Sequence, residues 1–369
     1  MSKRFLLIPF LIFPLFSQLD YSGYFESELD VVDLKTSYYY GYNKLRIDLE
    51  NSFEIGSLYG SIIGFQYWGK SNFLISDFID LEIQDEQSFS FGDTLYLDNL
   101  FLDLFTEFGE FIIGRQPLSV GVGYVWNPMD IFNQKDILDP SYELGASDAF
   151  RWMFNTSLIT TDLILSPSDH GHRLDIYSSI KGTLGRFDIT GSAFQYSVQD
   201  ISFLENEEIS GIGFACTGEV FGVGLWTEYT QNDNKSLHYS FNEWVAGLDY
   251  TTTNSMYFLI ERYHNDDGAS WENGYSDESL ILYMQGQVRS LSRNYLMVHT
   301  SYPFNHWATC SSSYLKNLED DSKILSIQVG LSILENLDIL STFYLFDGVT
   351  HSEFGIQESA LSIRMNIYF

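Results

Sequence analysis

The chain ends in LSIRMNIYF, residues 361–369. Leu361, Ile363, Met365, Ile367 and Phe369 are apolar at every second position, and Ser362, Arg364, Asn366 and Tyr368 fall between them. Successive side chains of a β-strand point to opposite faces, so the alternation reads as a strand with one apolar and one more polar face. Chain ends fray unless they are tied down. A pattern kept to the last residue points to a terminal strand that is paired.

The same period recurs upstream. In KLRIDLENSFEIG (44–56), Leu45, Ile47, Leu49, Phe53 and Ile55 share one face, and Arg46, Asp48, Glu50 and Glu54 share the other. LYLDNLFLDLFTE (95–107) meets FIIGRQ (111–116), RLDIYSSIKG (173–182) meets RFDITGSAFQYS (186–197), and SKILSIQVGLSIL (322–334) meets LDILSTFYLF (337–346), each across a few residues. Longer polar connections fall at 30–37, 70–94, 117–147, 166–172, 198–207, 231–240, 265–278 and 347–355. Tilted barrel strands cross a bilayer in about 9–11 residues. Short turns on one side and long loops on the other are the transmembrane-barrel pattern. We read an all-β chain, a single transmembrane antiparallel barrel over 18–369, with long outer loops 70–94, 117–147 and 265–278. Taking 294–316 as one strand bent at Pro303 gives about 18 strands, and 16 is the alternative, since single-chain bacterial barrels are even-numbered.

Composition agrees. Of 369 residues, 25 are Tyr, 30 Phe and only 7 Pro, which favours strands. The net charge of −31 excludes nucleic acid as a partner, because phosphates need a basic surface. Lys3 and Arg4 precede the apolar run FLLIPFLIFPLF (5–16) and Ser17. This is the layout of a secretory signal peptide, expected over 1–17. No later run of 18 apolar residues provides a spanning helix, so a membrane protein of this sequence must be a closed barrel. Cys216 and Cys310 read as two isolated strand residues rather than a disulfide framework.

Two resemblances sharpen the reading. Leu361, Ile363, Met365, Ile367 and the final Phe369 resemble the C-terminal assembly signal of bacterial outer-membrane barrels. That resemblance implies recognition by the barrel-assembly machinery and an address in outer-membrane lipid. GRQPLSVGVGYVWNPMDIFNQKD (114–136) with GASDAFR (145–151) resembles a motif of large outer-membrane porins, among them the alginate-export-like group. Gly114, Arg115, Gln116, Gly121, Gly123, Asn127, Pro128, Asp130, Phe132 and Asn133 carry it. The implied activity is porin-like.

Loop 117–147 is too long for a plain turn and can fold back into a lumen. Asn127-Pro128-Met129-Asp130 offers turn chemistry. Arg115 and Arg151 bracket the loop in an otherwise acidic region. Opposed to Asp130, Asp136, Asp139 or Asp148, they would set the transverse field of a constriction; an equal alternative is structural ion pairing. The constriction candidates are Arg115, Gln116, Asn127, Asp130, Asp148 and Arg151. Strands with a clear apolar face offer Arg46, Asp48, Glu50, Asp103, Arg173, Asp175, Arg186, Asp188 and Arg364 to the lumen, to line a watery pore or to fill it with salt bridges.

Residues 71–114 hold ten acids and no Lys, Arg or His. Such a loop concentrates cations and leaves room for loop-bound calcium, although no EF-hand spacing exists. No cofactor motif occurs. The seven histidines fall mostly in loops, and a hydrolase would need an adjacent Ser–His pair on the outer wall, so no enzyme is expected. The function expected is an outer-membrane channel for passive passage of small solutes, narrowed by loop 117–147. The alternative is a closed surface barrel that binds a partner or polysaccharide through its loops.

Overall fold

The computed structural model describes residues 19–33, 37–74, 88–168, 173–200, 205–272, 274–284 and 288–369. The expected signal peptide and the acids Asp77, Asp80, Glu82, Asp85 and Glu86 lie outside the described residues.

Eighteen strands form one antiparallel sheet, each paired to the barrel strand before and after it in the chain. The ring closes where Leu19–Asp33 pairs with Ser359–Tyr368, from Tyr24 opposite Tyr368 to Asp33 opposite Ser359. The last residue completes the seam: the Phe369 N–H donates to Gly23 O at 3.0 Å, and the Gly23 N–H donates to Phe369 O at 3.1 Å. Closure removes the open edge that lipid cannot satisfy. A side chain at Gly23 would meet Arg46 O at 2.3 Å and the Phe369 ring at 2.9 Å, so the seam needs glycine there.

Barrel strands run from 9 residues, as in Gly109–Pro117, to 16, as in Tyr38–Phe53, enough to cross a bilayer. Short turns, most of two residues, close one end. In one of them Phe221 and Gly222 both take positive φ, 52° and 83°, the conformation that matches strand twist. Long connections crowd the other end, where 70–93 carries its own hairpin, Asn72–Leu74 with Ser88–Ser90. Outward-facing Ile47, Ile113, Ile212, Leu248, Ile327 and Ile363 remain exposed. A continuous apolar exterior on a closed barrel is the surface of a membrane-spanning one.

Two expectations change without altering the count. The connection expected to end at 278 runs on to Arg293 and contains a helix, Asp277–Met284. The Ser276 hydroxyl accepts the Ser279 N–H at 3.1 Å, and Asp277 occupies the first turn, where the helix dipole favours an acid. The run Leu280-Ile281-Leu282-Tyr283 is not alternating and does not form a strand. Residues 294–316 are not one bent strand but two, Asn294–Asn305 and Ala308–Asn317, joined across His306-Trp307. The pairing shifts register at Pro303, which has no N–H for the ladder. Arg186 lies in an exposed turn, one residue before its strand begins at Phe187.

Candidate functional site

The connection 118–145 leaves strand Gly109–Pro117 and is shaped by its own polar residues. Asp130 accepts three backbone N–H groups, from Val120 at 3.1 Å and from Phe132 and Asn133 at 3.0 Å each. The Asp130 N–H returns to Asn127 O at 3.0 Å, the turn that Asn-Pro-x-Asp promises. Burial pushes the Asp130 carboxyl above its ordinary range, and the three N–H donors pull it back. Lys135 donates to Gly123 O at 2.8 Å and Tyr124 O at 3.0 Å, and burial lowers its pKa.

Two wall carboxylates fasten the loop. Glu228, on strand Val223–Asn234, accepts N–H bonds from Gly123 at 2.8 Å, Met129 at 3.1 Å, and Val122. Glu261, on strand Tyr257–Asn265, accepts from Tyr124 at 2.6 Å, Val125 at 2.7 Å, Trp126 at 3.3 Å and the indole of Trp226 at 2.6 Å. Both side chains are fully buried, on the face opposite exposed Tyr229 and Ile260. Around them Leu118, Val120 and Met129 pack on Ile164, Tyr177 and Phe194, and Val125 and Trp126 pack on Val245, Tyr263 and Tyr295. The Trp126 and Tyr263 rings stack at 5.1 Å. From an outer loop, Arg289 donates to Asp130 O at 2.8 Å and stands 3.2 Å from Glu243.

The end of the same loop bonds elsewhere on the wall. Glu143 sits 2.8 Å from Lys44 and 3.3 Å from Arg46. Asp139 sits 2.8 Å from Arg364, which also bonds Glu28. The Tyr142 ring lies between Lys44 at 4.9 Å and Arg364 at 4.5 Å, and its hydroxyl donates to Glu26 at 2.9 Å. Burial alone would raise the Glu143 pKa, but Lys44, Tyr24 and Arg46 outweigh it and hold the carboxyl below its ordinary value. Strand Tyr38–Phe53, which carries Lys44 and Arg46, lies nine strands from Val223–Asn234 in either direction round the ring. One loop thus touches diametrically opposed walls.

The structure places the sequence candidates as follows. Arg46 pairs with Asp48 at 2.8 Å and Asp98 at 3.1 Å. Arg364 joins the Asp139–Glu28 cluster. Glu50 accepts the Ser52 hydroxyl at 3.2 Å, and Asp175 accepts the Ser197 N–H at 2.9 Å. Asp103 is buried with one oxygen unpartnered. Asp188 pairs with Lys181 at 3.4 Å, and Arg173 with Glu208 at 2.8 Å near the outer rim. Arg151 is locked to Asp162 by bonds of 3.0 and 2.7 Å, away from the loop contacts. Gln116 is spent on backbone, bonding Ala149 O at 3.0 Å. Arg115 and Asp148 are partly exposed, 3.8 Å apart, and their register sets them on the side of exposed Ile113. Asn127 is buried in the loop, its side-chain oxygen without a partner.

Glu228, Glu261, Lys44, Glu26, Glu28, Tyr142 and Glu143 carry the loop's fastening and were not among the sequence candidates. Lys44 continues the even-numbered face of Arg46 and Asp48, so its orientation was legible. Glu228 and Glu261 are each the one acid on the inward face of an aromatic-rich strand, and nothing local marks their partners.

His299 is hydrogen-bonded to Ser313 at 2.8 Å. It lies against Tyr124 of the inner loop at 5.9 Å between ring centroids, not on the outer wall. Among the described residues no group of three or more His, Cys, Asp or Glu could hold a metal ion. Cys216 and Cys310 are not bonded to each other.

No family model matches the chain, and no curated protein sequence matches it. Solved structures do. OpdK of Pseudomonas aeruginosa is similar with a TM-score of 0.62 at 8% identity, covering 95% of this chain and 98% of that one. OccAB1 of Acinetobacter baumannii gives 0.61 at 9%, covering 96% and 97%. Salmonella typhi OmpF, solved in complex with daunomycin, gives 0.50 at 10%, covering 95% and 97%. The fold is the closed barrel of bacterial outer-membrane porins.

Proposed function

We propose that this barrel is a water-filled outer-membrane channel for passive passage of small solutes, narrowed by loop 117–147 and preferring cations. The carrying observation is that one loop is fastened to walls nine strands apart, by Glu228 on one side and Lys44 and Arg46 on the other. A segment so fastened crosses the interior and divides it. An 18-stranded barrel is wide enough to keep a channel beside it. Around Lys44, Arg46 and Arg364, six carboxylates are within ion-pair distance: Glu26, Glu28, Asp48, Asp98, Asp139 and Glu143. Carboxylates outnumber cations two to one, so this wall attracts cations. Glu50, Asp103 and Asp175 add to that sign, while Asp188 is offset by Lys181.

The likeness of residues 114–136 to the alginate-export-like group supports a porin but not a polyanionic cargo, which a chain of net charge −31 repels. Assembly is read as guided by Leu361, Ile363, Met365, Ile367 and Phe369. The reading includes no catalytic step. Calcium bridging the acidic loop is a further proposal, tested by calcium titration. The decisive experiment is a planar-bilayer recording with a salt gradient. Steady conductance with a cation-selective reversal potential supports the channel. A folded barrel that never conducts overturns it in favour of a closed surface barrel.

A further inference from the structure

A cavity of about 620 Å³ opens at the loop end of the barrel. Its walls come from the helix Asp277–Met284, the connection 348–358 and Ile137-Leu138 of the inner loop. Its size is that of small-molecule sites. Tyr275, Tyr283, Phe346 and Phe354 supply aromatic surface, and Asp277 and Glu353 supply carboxyls. Among the described residues its lining contains no lysine or arginine.

Glu353 and Tyr283 also line a second, smaller chamber of about 200 Å³, walled by Trp126 and Asn127 of the inner loop. The Glu353 carboxylate accepts from neutral donors, the Tyr295 hydroxyl and the Asn317 amide at 2.8 Å each. Its own N–H is held by Asp320 at 2.8 Å, which brings a second acid beside it. Burial and Asp320 push the Glu353 carboxyl up to about 8. The smaller chamber already has two cations on its wall, Lys135 and Arg289, whereas the larger cavity has none among the described residues. A buried carboxyl whose bonds among the described residues are all to neutral donors thus faces an aromatic cavity.

We propose that the larger cavity binds small organic cations, with the ammonium head at Glu353 and an aromatic or branched apolar body among Tyr275, Tyr283, Phe346 and Phe354. Aromatic faces attract cations, and a buried carboxyl is relieved by one. The inference rests on the channel reading only for the route onward, since the site would load solute at the mouth.

The test uses the whole protein in lipid nanodiscs and three probes of matched body: phenethylammonium, 2-phenylethanol and 3-phenylpropionate. Calorimetry is expected to give the ammonium an affinity on the order of tenfold above the alcohol, with the carboxylate weakest. Glu353→Gln keeps an oxygen for Tyr295 and Asn317, and is expected to erase the difference between ammonium and alcohol. Leu280→Trp fills the larger cavity and is expected to weaken both. Equal binding of all three probes, no binding, or a preference that survives Glu353→Gln overturns the site. Conductance without probe is recorded on the same preparations. A conducting barrel that ignores the ammonium overturns this site alone, and a binding barrel that never conducts overturns the channel alone.

Discussion

Glu261→Ala removes one side chain and releases four donors: the N–H groups of Tyr124, Val125 and Trp126 and the indole of Trp226. Each bond to a buried charge is worth ~2 kcal/mol in a dry site, and we take ~1 kcal/mol because water in the lumen can reach part of the freed backbone. Trp226 belongs to the wall, so the fastening lost by the loop is that of three bonds, about 3 kcal/mol, on the order of a hundredfold in the docked population of this stretch. Glu228 still holds Gly123 and Met129, and Trp126 still stacks on Tyr263, so the loop loosens rather than leaves. Glu261→Gln keeps one acceptor oxygen with two lone pairs and is expected to lose about half as much. The wall ladder contains no Glu261 side-chain bond, so heat-modifiable migration of the folded barrel should not change. The assay is single-channel recording: parent quiet, Glu261→Gln intermediate, Glu261→Ala with larger mean conductance and strong open-state noise, and the double variant with Glu228→Ala largest. Folded variants with the parent's conductance and noise would refute the argument that these carboxylates hold a pore-narrowing loop.

Further expectations follow the same geometry. Gly23→Val drives a side chain into Arg46 O and the Phe369 ring; the folded fraction on unheated gels should collapse, whereas Gly191→Val, where open space surrounds the site, should fold. Arg364→Ala frees Glu28 and Asp139 from their cation, so the reversal potential should shift further toward cation selectivity; a shift toward anions would contradict the wall's assigned sign. Glu143 is held below its ordinary pKa, so its tether to Lys44 and Arg46 is intact above the unfolded value and is lost as pH falls through the folded one. Current noise should therefore rise in acid, and Glu143→Gln should show that noise at neutral pH. Glu353 has the opposite sign: raised from 4.5 to about 8, it favours docking of 348–358 most below 4.5 and loses that contribution as pH rises through 8. Hydrogen exchange at the Phe354 and Glu353 amides, corrected for intrinsic rate, should accelerate between pH 6 and 9.

The alternation of LSIRMNIYF, repeated through the chain, determined the barrel, its sidedness and the inward face of Arg46, Asp48 and Arg364. A strand's two faces are a local property, fixed by the pleat and read at period 2. Local chemistry likewise gave the Asn127–Asp130 turn, because its bonds close within a few residues. The helix at Asp277–Met284 was missed because a short apolar run reads as strand or helix alike. What only the tertiary structure decided was which residues face each other across the interior. Glu228 and Glu261 meet a loop 99 to 137 residues earlier in the chain, and Arg151 meets Asp162 instead of the constriction assigned to it. An inward direction is written in sequence parity, but a partner across the lumen is set by ring closure and by the path of one long loop, neither of which leaves a local periodic trace.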